Sequence, residues 1–262
     1  MTGRRGAEEQ AAPLRGIKVV EFTHMVMGPT AGVILGDLGA DVIKVEPLKG
    51  DNTRRLKGSG AGYFPMYNRN KRSIALDLKN PKGRDVALQL IQSADIVLEN
   101  FRTGTMANLG LDYDSLKATH PSLIYCSLKG FLSGPYENRV ALDEVTQMMG
   151  GLAYMTGLPE RPLRAGSSVI DITGGMFGVI AILSALHRRR ETGEGSHVTS
   201  ALFETTAFLV GQHMAQQAVS GEPPPPMSVR QSAWAVYDIF ELDSGERHIV
   251  GIVSDTPWQS FC

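Results

Sequence analysis

The feature that most constrains this chain is an alternation. Short runs rich in apolar and β-branched residues are separated, repeatedly, by stretches with helical spacing. Ile17–Phe22, Asp41–Glu46 (DVIKVE), Ser73–Asp77, Ile96–Leu98 and Leu123–Leu128 read as five strands. Between them, Pro29–Leu38, Lys82–Ser93 and Tyr113–His120 read as helices, the first with Pro29 in its opening turn and Gly39 at its stop. Strands joined by helical crossovers form a parallel sheet covered on both faces. The expected fold is therefore α/β, with a Rossmann-like parallel sheet, right-handed crossovers and a large domain built around them.

The pattern changes after Gly130. Val140–Thr156, Thr173–Arg190 and Val198–Val219 read as helices. Four consecutive prolines, Pro223 to Pro226, then impose an extended, semi-rigid linker. Ala235–Glu241 and His248–Val253 read as a hairpin around Asp243-Ser244-Gly245, and one hairpin is too little to build a core. The expected organisation is a disordered lead-in over 1–14, the large domain over 15–200, a helix and Pro-rich linker over 201–227, and the start of an incomplete, truncated small domain over 228–262.

Composition narrows the function. The 262 residues carry 26 Lys+Arg against 27 Asp+Glu, a net charge of -1. A surface devoted to nucleic acid needs a basic surplus, so that class is set aside. The two cysteines, Cys126 and Cys262, and the six histidines form no metal-ligand spacing, and no metal is expected. Two isolated cysteines point to a reducing cytoplasm. The most apolar run, Met176–Leu186, is shorter than the ~20 residues a bilayer span requires, and the polar N-terminus has no signal-peptide core. No membrane partner is expected.

Three places invite chemistry. Glu46 ends the second strand, where a ribose-binding carboxylate sits in dinucleotide-binding proteins. The preceding turn, Thr23-His24-Met25-Val26-Met27-Gly28-Pro29, lacks the GxGxxG that lets a backbone approach a pyrophosphate. Nicotinamide is excluded on that ground, leaving Glu46 as a solvated strand-end residue. The stretch 68–79 (NRNKRSIALDLK), with Arg54, Arg55 and Lys57 nearby, is the most basic. It suits either a phosphorylated ligand or a solvated loop. Asp171, between Gly166-Ser167-Ser168-Val169-Ile170 and Ile172-Thr173-Gly174-Gly175, is either a helix N-cap or an exposed nucleophilic carboxylate beside glycines. A helix N-terminus would keep its pKa low.

Six segments resemble, in order, the class III CoA-transferases, the family of formyl-CoA transferase and carnitine CoA-transferase. They are Val20 to Pro29, Leu38 to Glu46 (LGADVIKVE), Asn70 to Asp77 (NKRSIALD), Glu99-Asn100-Phe101-Arg102, Gly166 to Gly175, and Gly193-Glu194-Gly195-Ser196. The resemblance implies a CoA-transferase that moves CoA from an acyl-CoA donor to a small carboxylic acid. In it, Asp171 would attack the thioester and carry covalent aspartyl intermediates, so neither ATP nor metal is needed. Gly174 and Gly175 would leave room for substrate and offer N–H groups to oxyanions. The implied coenzyme A contacts are His24, Val26 and Met27; Leu76, Asp77, Leu78 and Lys79; and Asn100, Phe101 and Arg102. Arg72 and Lys79 are the implied phosphate partners. A homodimer, interlocked in the full-length family, is implied as well.

The chain departs from the family pattern at four places. Asn108 and Pro47 stand where basic residues often occur, which weakens phosphate binding. Leu142, before Asp143, replaces the catalytic His of family racemases; α-proton exchange needs two acid/base groups. Family chains also continue well beyond residue 262. Two alternatives stand beside the transferase reading: a truncated CoA-binding relative without turnover, which the early end of the chain suggests, and an acyl-CoA racemase or isomerase of the same fold, against which the missing His counts.

Overall fold

The structure is a computed structural model and describes residues 12–229 and 232–262. Six strands, β1 (Lys18–Phe22), β2 (Asp41–Glu46), β3 (Arg72–Ala75), β4 (Ile96–Glu99), β5 (Ile124–Lys129) and β6 (Ser196–Ala201), form one sheet in the order β3-β2-β1-β4-β5-β6. Every adjacent pair is parallel. This is the doubly wound order expected of a Rossmann-like fold, and it reverses direction between β1 and β4. The crevice beyond the carboxyl ends of those two strands is where such sheets bind ligands.

The helices, in chain order, are α1 (Met27–Asp37), α2 (Tyr63–Tyr67), α3 (Pro81–Gln92), α4 (Thr105–Asn108), α5 (Tyr113–Leu116), α6 (Asp143–Met149), α7 (Leu152–Thr156), α8 (Val169–Thr192), α9 (Leu202–Leu209), α10 (Gly211–Ser220) and α11 (Asp255–Phe261). Helices α1 and α8 cover one face of the sheet through Met27, Ala31, Leu35, Val179, Ile182 and Leu186. The other face is closed by α3, α4 and α5 through Ala87, Ile91, Met106 and Leu116. Strand residues alternate between the two: Ile96 and Leu98 face the first core, Val97 the second. The glycines of α8 allow its close approach to α1. A Cβ at Gly175 would lie 2.7 Å from the Met27 carbonyl oxygen, and one at Gly174 2.7 Å from Met27 Cε.

Several expectations need correction. Residues 198–201, expected as the start of a helix, belong to the edge strand β6; Val198 and Thr199 favour extension and the partner β5 lies alongside. The rest of that helix divides into α9 and α10. The stretch 140–156 divides into α6 and α7 at Gly150-Gly151, where Gly151 takes φ +88°. Met176–Leu186 is the middle of α8, a 24-residue helix that is long and apolar enough to cross a membrane by length and composition. Eight of its residues are nonetheless buried inside this fold. The expected lead-in falls outside the described residues as far as 11, and Leu14 belongs to the core, its N–H donating to the Leu38 carbonyl at 2.9 Å. The hairpin is present as β7 (Val236–Glu241) and β8 (Arg247–Ile252), antiparallel and apart from the main sheet.

Candidate functional site

Beyond β1, residues 23–26 turn sharply, with Met25 in the left-handed region at φ +61°, an uncommon conformation for a residue with a Cβ. The turn is strapped to the loop after β4. His24 N–H donates to Asn100 Oδ1 at 2.9 Å, and Asn100 Nδ2 donates back to the His24 carbonyl at 2.8 Å. The His24 ring stacks on Phe101, centroids 5.9 Å apart. Gly28 leaves the strap its space: a Cβ there would meet Thr23 Cβ at 2.6 Å and Asn100 Cγ at 3.0 Å. His24 is held below its ordinary pKa, first by burial, with Asp51 opposing and Lys44 assisting. Val26 and Met27 are buried as whole residues, and the Val26 carbonyl already accepts from Thr30.

Third in line is the loop after β3. The Leu76 N–H donates to the Glu46 carbonyl, carrying the ladder one residue past the strand. Asp77 Oδ1 accepts the Lys79 N–H at 3.0 Å, and Asn80 Oδ1 caps α3 at the Lys82 N–H. Leu76 and Leu78 lean on the second core, which leaves Asp77 and Lys79 exposed.

Most of the basic stretch is paired with carboxylates of the chain, though of its cations only Lys71 has a buried side chain. Lys71 donates to both Glu21 oxygens, at 2.9 and 3.0 Å, while Arg69 pairs with Asp37 and Arg54 with Glu46. Arg72 pairs with Asp41 at the amino end of the sheet, opposite the crevice. The structure therefore does not bring Arg72 together with the other candidate residues. Lys79 and Arg102 are the candidate cations whose side chains have no partner among the described residues. Glu46 is not solvated. It is buried, and although burial alone would raise its pKa, hydrogen bonds from Arg54, Ser73 and the Asp51 N–H bring it down to about 2.

Asp171 is the third residue of α8, whose N-terminus points to the carboxyl edge of the sheet because the helix returns the chain from β5 to β6. It does not cap that helix. Asp143 Oδ2, from the start of α6, accepts the Ile170 and Asp171 N–H groups at 2.8 and 3.2 Å. Asp143 Oδ1 accepts from Gln147 Nε2 at 2.7 Å, and the Arg164 guanidinium lies 3.5 Å away. The Asp171 carboxyl is thus free of hydrogen bonds among the described residues. It shares a helix face with Gly174, three residues on, which abuts Met27. Contrary to the expectation of a low pKa, it is pushed up to about 7, first by burial and then by the Asp143 carboxylate, with Arg164 opposing. The Tyr67 phenol is raised too, by burial, by Tyr63, and by the charges of Asp171 and Asp143.

The N–H groups of Gly174 and Gly175, expected to face an oxyanion, are instead engaged. Both lie inside α8, where their N–H groups belong to the helix ladder and their Cα atoms are packed on α1. Asp143, Gln147, Arg164 and Tyr67 were not singled out from sequence as site residues, since each looks like an ordinary polar residue until the folds of α6, α2 and the 157–168 loop bring it to Asp171. A cavity of about 200 Å³ lies beneath the Asn100–Phe101 loop, lined by Glu99, Arg102, Tyr113, Ser127, Lys129 and His197 among others. A second, of about 600 Å³, lies between α10 and the proline run. Asp171 lines neither.

The sequence profile of CoA-transferase family III matches residues 14–262. The chain is similar to the succinate–glutarate CoA-transferase of Agrobacterium fabrum, 37 % identical over 95 % of this chain and 66 % of that protein. It is similar to the formyl-CoA:oxalate CoA-transferase of a Bradyrhizobium strain, 41 % identical over 72 % of this chain and 46 % of that one. Among solved structures it superposes on a CAIB/BAIF family protein from Brucella suis with a TM-score of 0.86 at 40 % identity, over 95 % of this chain and 68 % of the other. The chain spans between about half and two-thirds of the length of these curated relatives.

Proposed function

Since the chain belongs to CoA-transferase family III, we propose that it moves CoA from an acyl-CoA to a small carboxylic acid through covalent intermediates on Asp171. One observation carries the reading: the helix-capping role expected of an Asp at this position is taken by Asp143, which leaves the Asp171 carboxyl unbonded at the carboxyl edge of the sheet. An Asp171 oxygen attacks the thioester carbonyl, forming a mixed anhydride and releasing CoA thiolate. The thiolate attacks the aspartyl carbonyl and expels the donor acid as its carboxylate, leaving an aspartyl-CoA thioester. The acceptor carboxylate attacks that thioester and again frees the thiolate. The thiolate then takes the acceptor's acyl group, which restores the Asp171 carboxylate. Each step exchanges one acyl bond for another of similar energy, so no ATP or metal enters.

Coenzyme A is read along the crevice, on the turn His24, Val26 and Met27, on Leu76, Asp77, Leu78 and Lys79, and on Asn100, Phe101 and Arg102. Lys79 and Arg102 are the free cations suited to its phosphates. The acceptor is read as a short dicarboxylic acid, because the named relatives act on succinate, glutarate and oxalate. A homodimer is read from the exposed stripe Met176, Ile180 and Leu183 on α8, and a reducing cytoplasm from the two free cysteines. The test incubates acyl-CoA with candidate dicarboxylates and follows the new thioester by chromatography. Asp171→Ala is expected to abolish exchange, and an Asp171→Ala protein as active as the parent would end the mechanism.

A further inference from the structure

The backbone of Phe101 is held at both ends by one ion pair. Glu99 Oε2 accepts the Phe101 N–H at 3.0 Å, and Lys129 Nζ donates to the Phe101 carbonyl at 2.9 Å. Lys129 also reaches both Glu99 oxygens, at 2.7 and 2.9 Å. The two residues end neighbouring strands, β4 and β5, and the Glu99 side chain is 2 % exposed. Taking two charges out of water carries a penalty that their mutual attraction seldom repays unless further hydrogen bonds are gained. Here those further bonds all go to the backbone of one residue, Phe101, just past the end of β4, in the kind of loop that ordinarily opens first.

That residue sits at the crevice. Its ring stacks on His24, and the preceding residue, Asn100, straps the opposite lip. Lys44 holds the other lip by donating to the Thr23 carbonyl at 2.7 Å, but it also pairs with Glu21 and Asp51. Among the described residues the Glu99 and Lys129 side chains, by contrast, bond only to each other and to Phe101. We propose that Glu99 and Lys129 are positioning residues for the Asn100–Phe101 segment, and that they set the affinity for the CoA moiety rather than the rate of acyl exchange at Asp171. The proposal rests on the CoA-transfer reading given above.

The test compares Lys129→Met, Lys129→Arg and the double variant Glu99→Gln/Lys129→Met with the parent. Calorimetric titration with free coenzyme A and steady-state exchange are the readouts. Lys129→Met alone strands a buried carboxylate and can fail to fold, whereas the double variant removes both charges together. The double variant is expected to unfold cooperatively like the parent, to bind CoA at least about tenfold more weakly, and to show a matching rise in KM with kcat reduced less than about threefold. Lys129→Arg, whose guanidinium can also donate to both partners, is expected to recover most of the affinity. A folded double variant with parental CoA affinity, or one that loses kcat at unchanged KM, overturns the proposal. If the parent binds CoA without exchanging it, the transfer chemistry fails and the calorimetric comparison alone decides the pair. A parent that binds no CoA overturns both.

Discussion

Replacing Asp171 by Asn is expected to make the chain more stable above neutral pH and to change little in acid. The carboxyl rises from 3.8 to about 7 in the folded protein, first through burial and second through Asp143. In the unfolded chain it ionises near pH ~4. Between those values the unfolded state gives up a proton that the folded state keeps. The folded state's advantage is therefore whole below the lower value and is lost as pH rises through the upper one. A gap of about three pH units at ~1.4 kcal/mol each corresponds to roughly 4 kcal/mol, and partial solvent contact reduces this to about 2–3. Asparagine has the same shape and no proton to lose, and no side-chain hydrogen bond is broken by the exchange. Urea unfolding is expected to show Asp171→Asn about 2–3 kcal/mol more stable than the parent near pH ~8, with a melting temperature higher by roughly 4–12 °C, and equal within about 0.5 kcal/mol near pH ~4. A difference that does not change with pH, or an Asn variant less stable than the parent at pH ~8, refutes the reasoning.

The same carboxyl should govern the acid side of catalysis: kcat/KM is expected to fall about tenfold per pH unit below about 7, and Asp143→Asn to move that limb to lower pH by removing the facing charge, both read from initial rates. Glu46, whose pKa is lowered from 4.5 to about 2, contributes stability above the higher value that is lost as pH falls toward the lower. Glu46→Gln should therefore cost about 2 kcal/mol at pH ~6 and progressively less at pH ~3, an estimate already reduced for the half-exposed Arg54 and measurable by denaturant titration. Gly32→Ala would place a Cβ 1.8 Å from Glu21 Oε2 and 2.8 Å from Lys71 Nζ, inside the buried ion cluster. A loss of roughly 3 kcal/mol or more is expected, and a midpoint shift worth under about 1 kcal/mol would show that the cluster relaxes freely.

What the sequence made legible follows periodicity. β2 was placed to the residue, and the other strands of the first half to within a residue or two, because buried parallel strands are short apolar runs with clear stops. Edge strand β6, Ser-His-Val-Thr-Ser-Ala, has no such run; only its pairing with β5 defines it. The start of α8 was placed at Thr173, four residues late, because Ser168 supplies no side-chain cap and the capping oxygen comes from Asp143, 27 residues earlier. That long-range substitution also hid the raised pKa of Asp171, since a local rule assigns a carboxylate in a first turn a lowered one. The basic stretch misled for a related reason. Charges adjacent in sequence were read as one patch, whereas the fold sends Lys71 inward to Glu21 and Arg72 to the far end of the sheet.

The reciprocal bonds between His24 and Asn100 join residues 76 positions apart, and this fixes when during folding the crevice can exist. A chain emerging from the ribosome N-terminus first has β1, β2 and β3 available to pair well before β4 is made. That intermediate would have a sheet, a first crossover helix and half of one lip, yet nothing for a ligand to hold. The crevice closes in the step that sets β4 beside β1, so a ligand of the proposed kind would select chains that have completed the central pairing and give no help to those that have not.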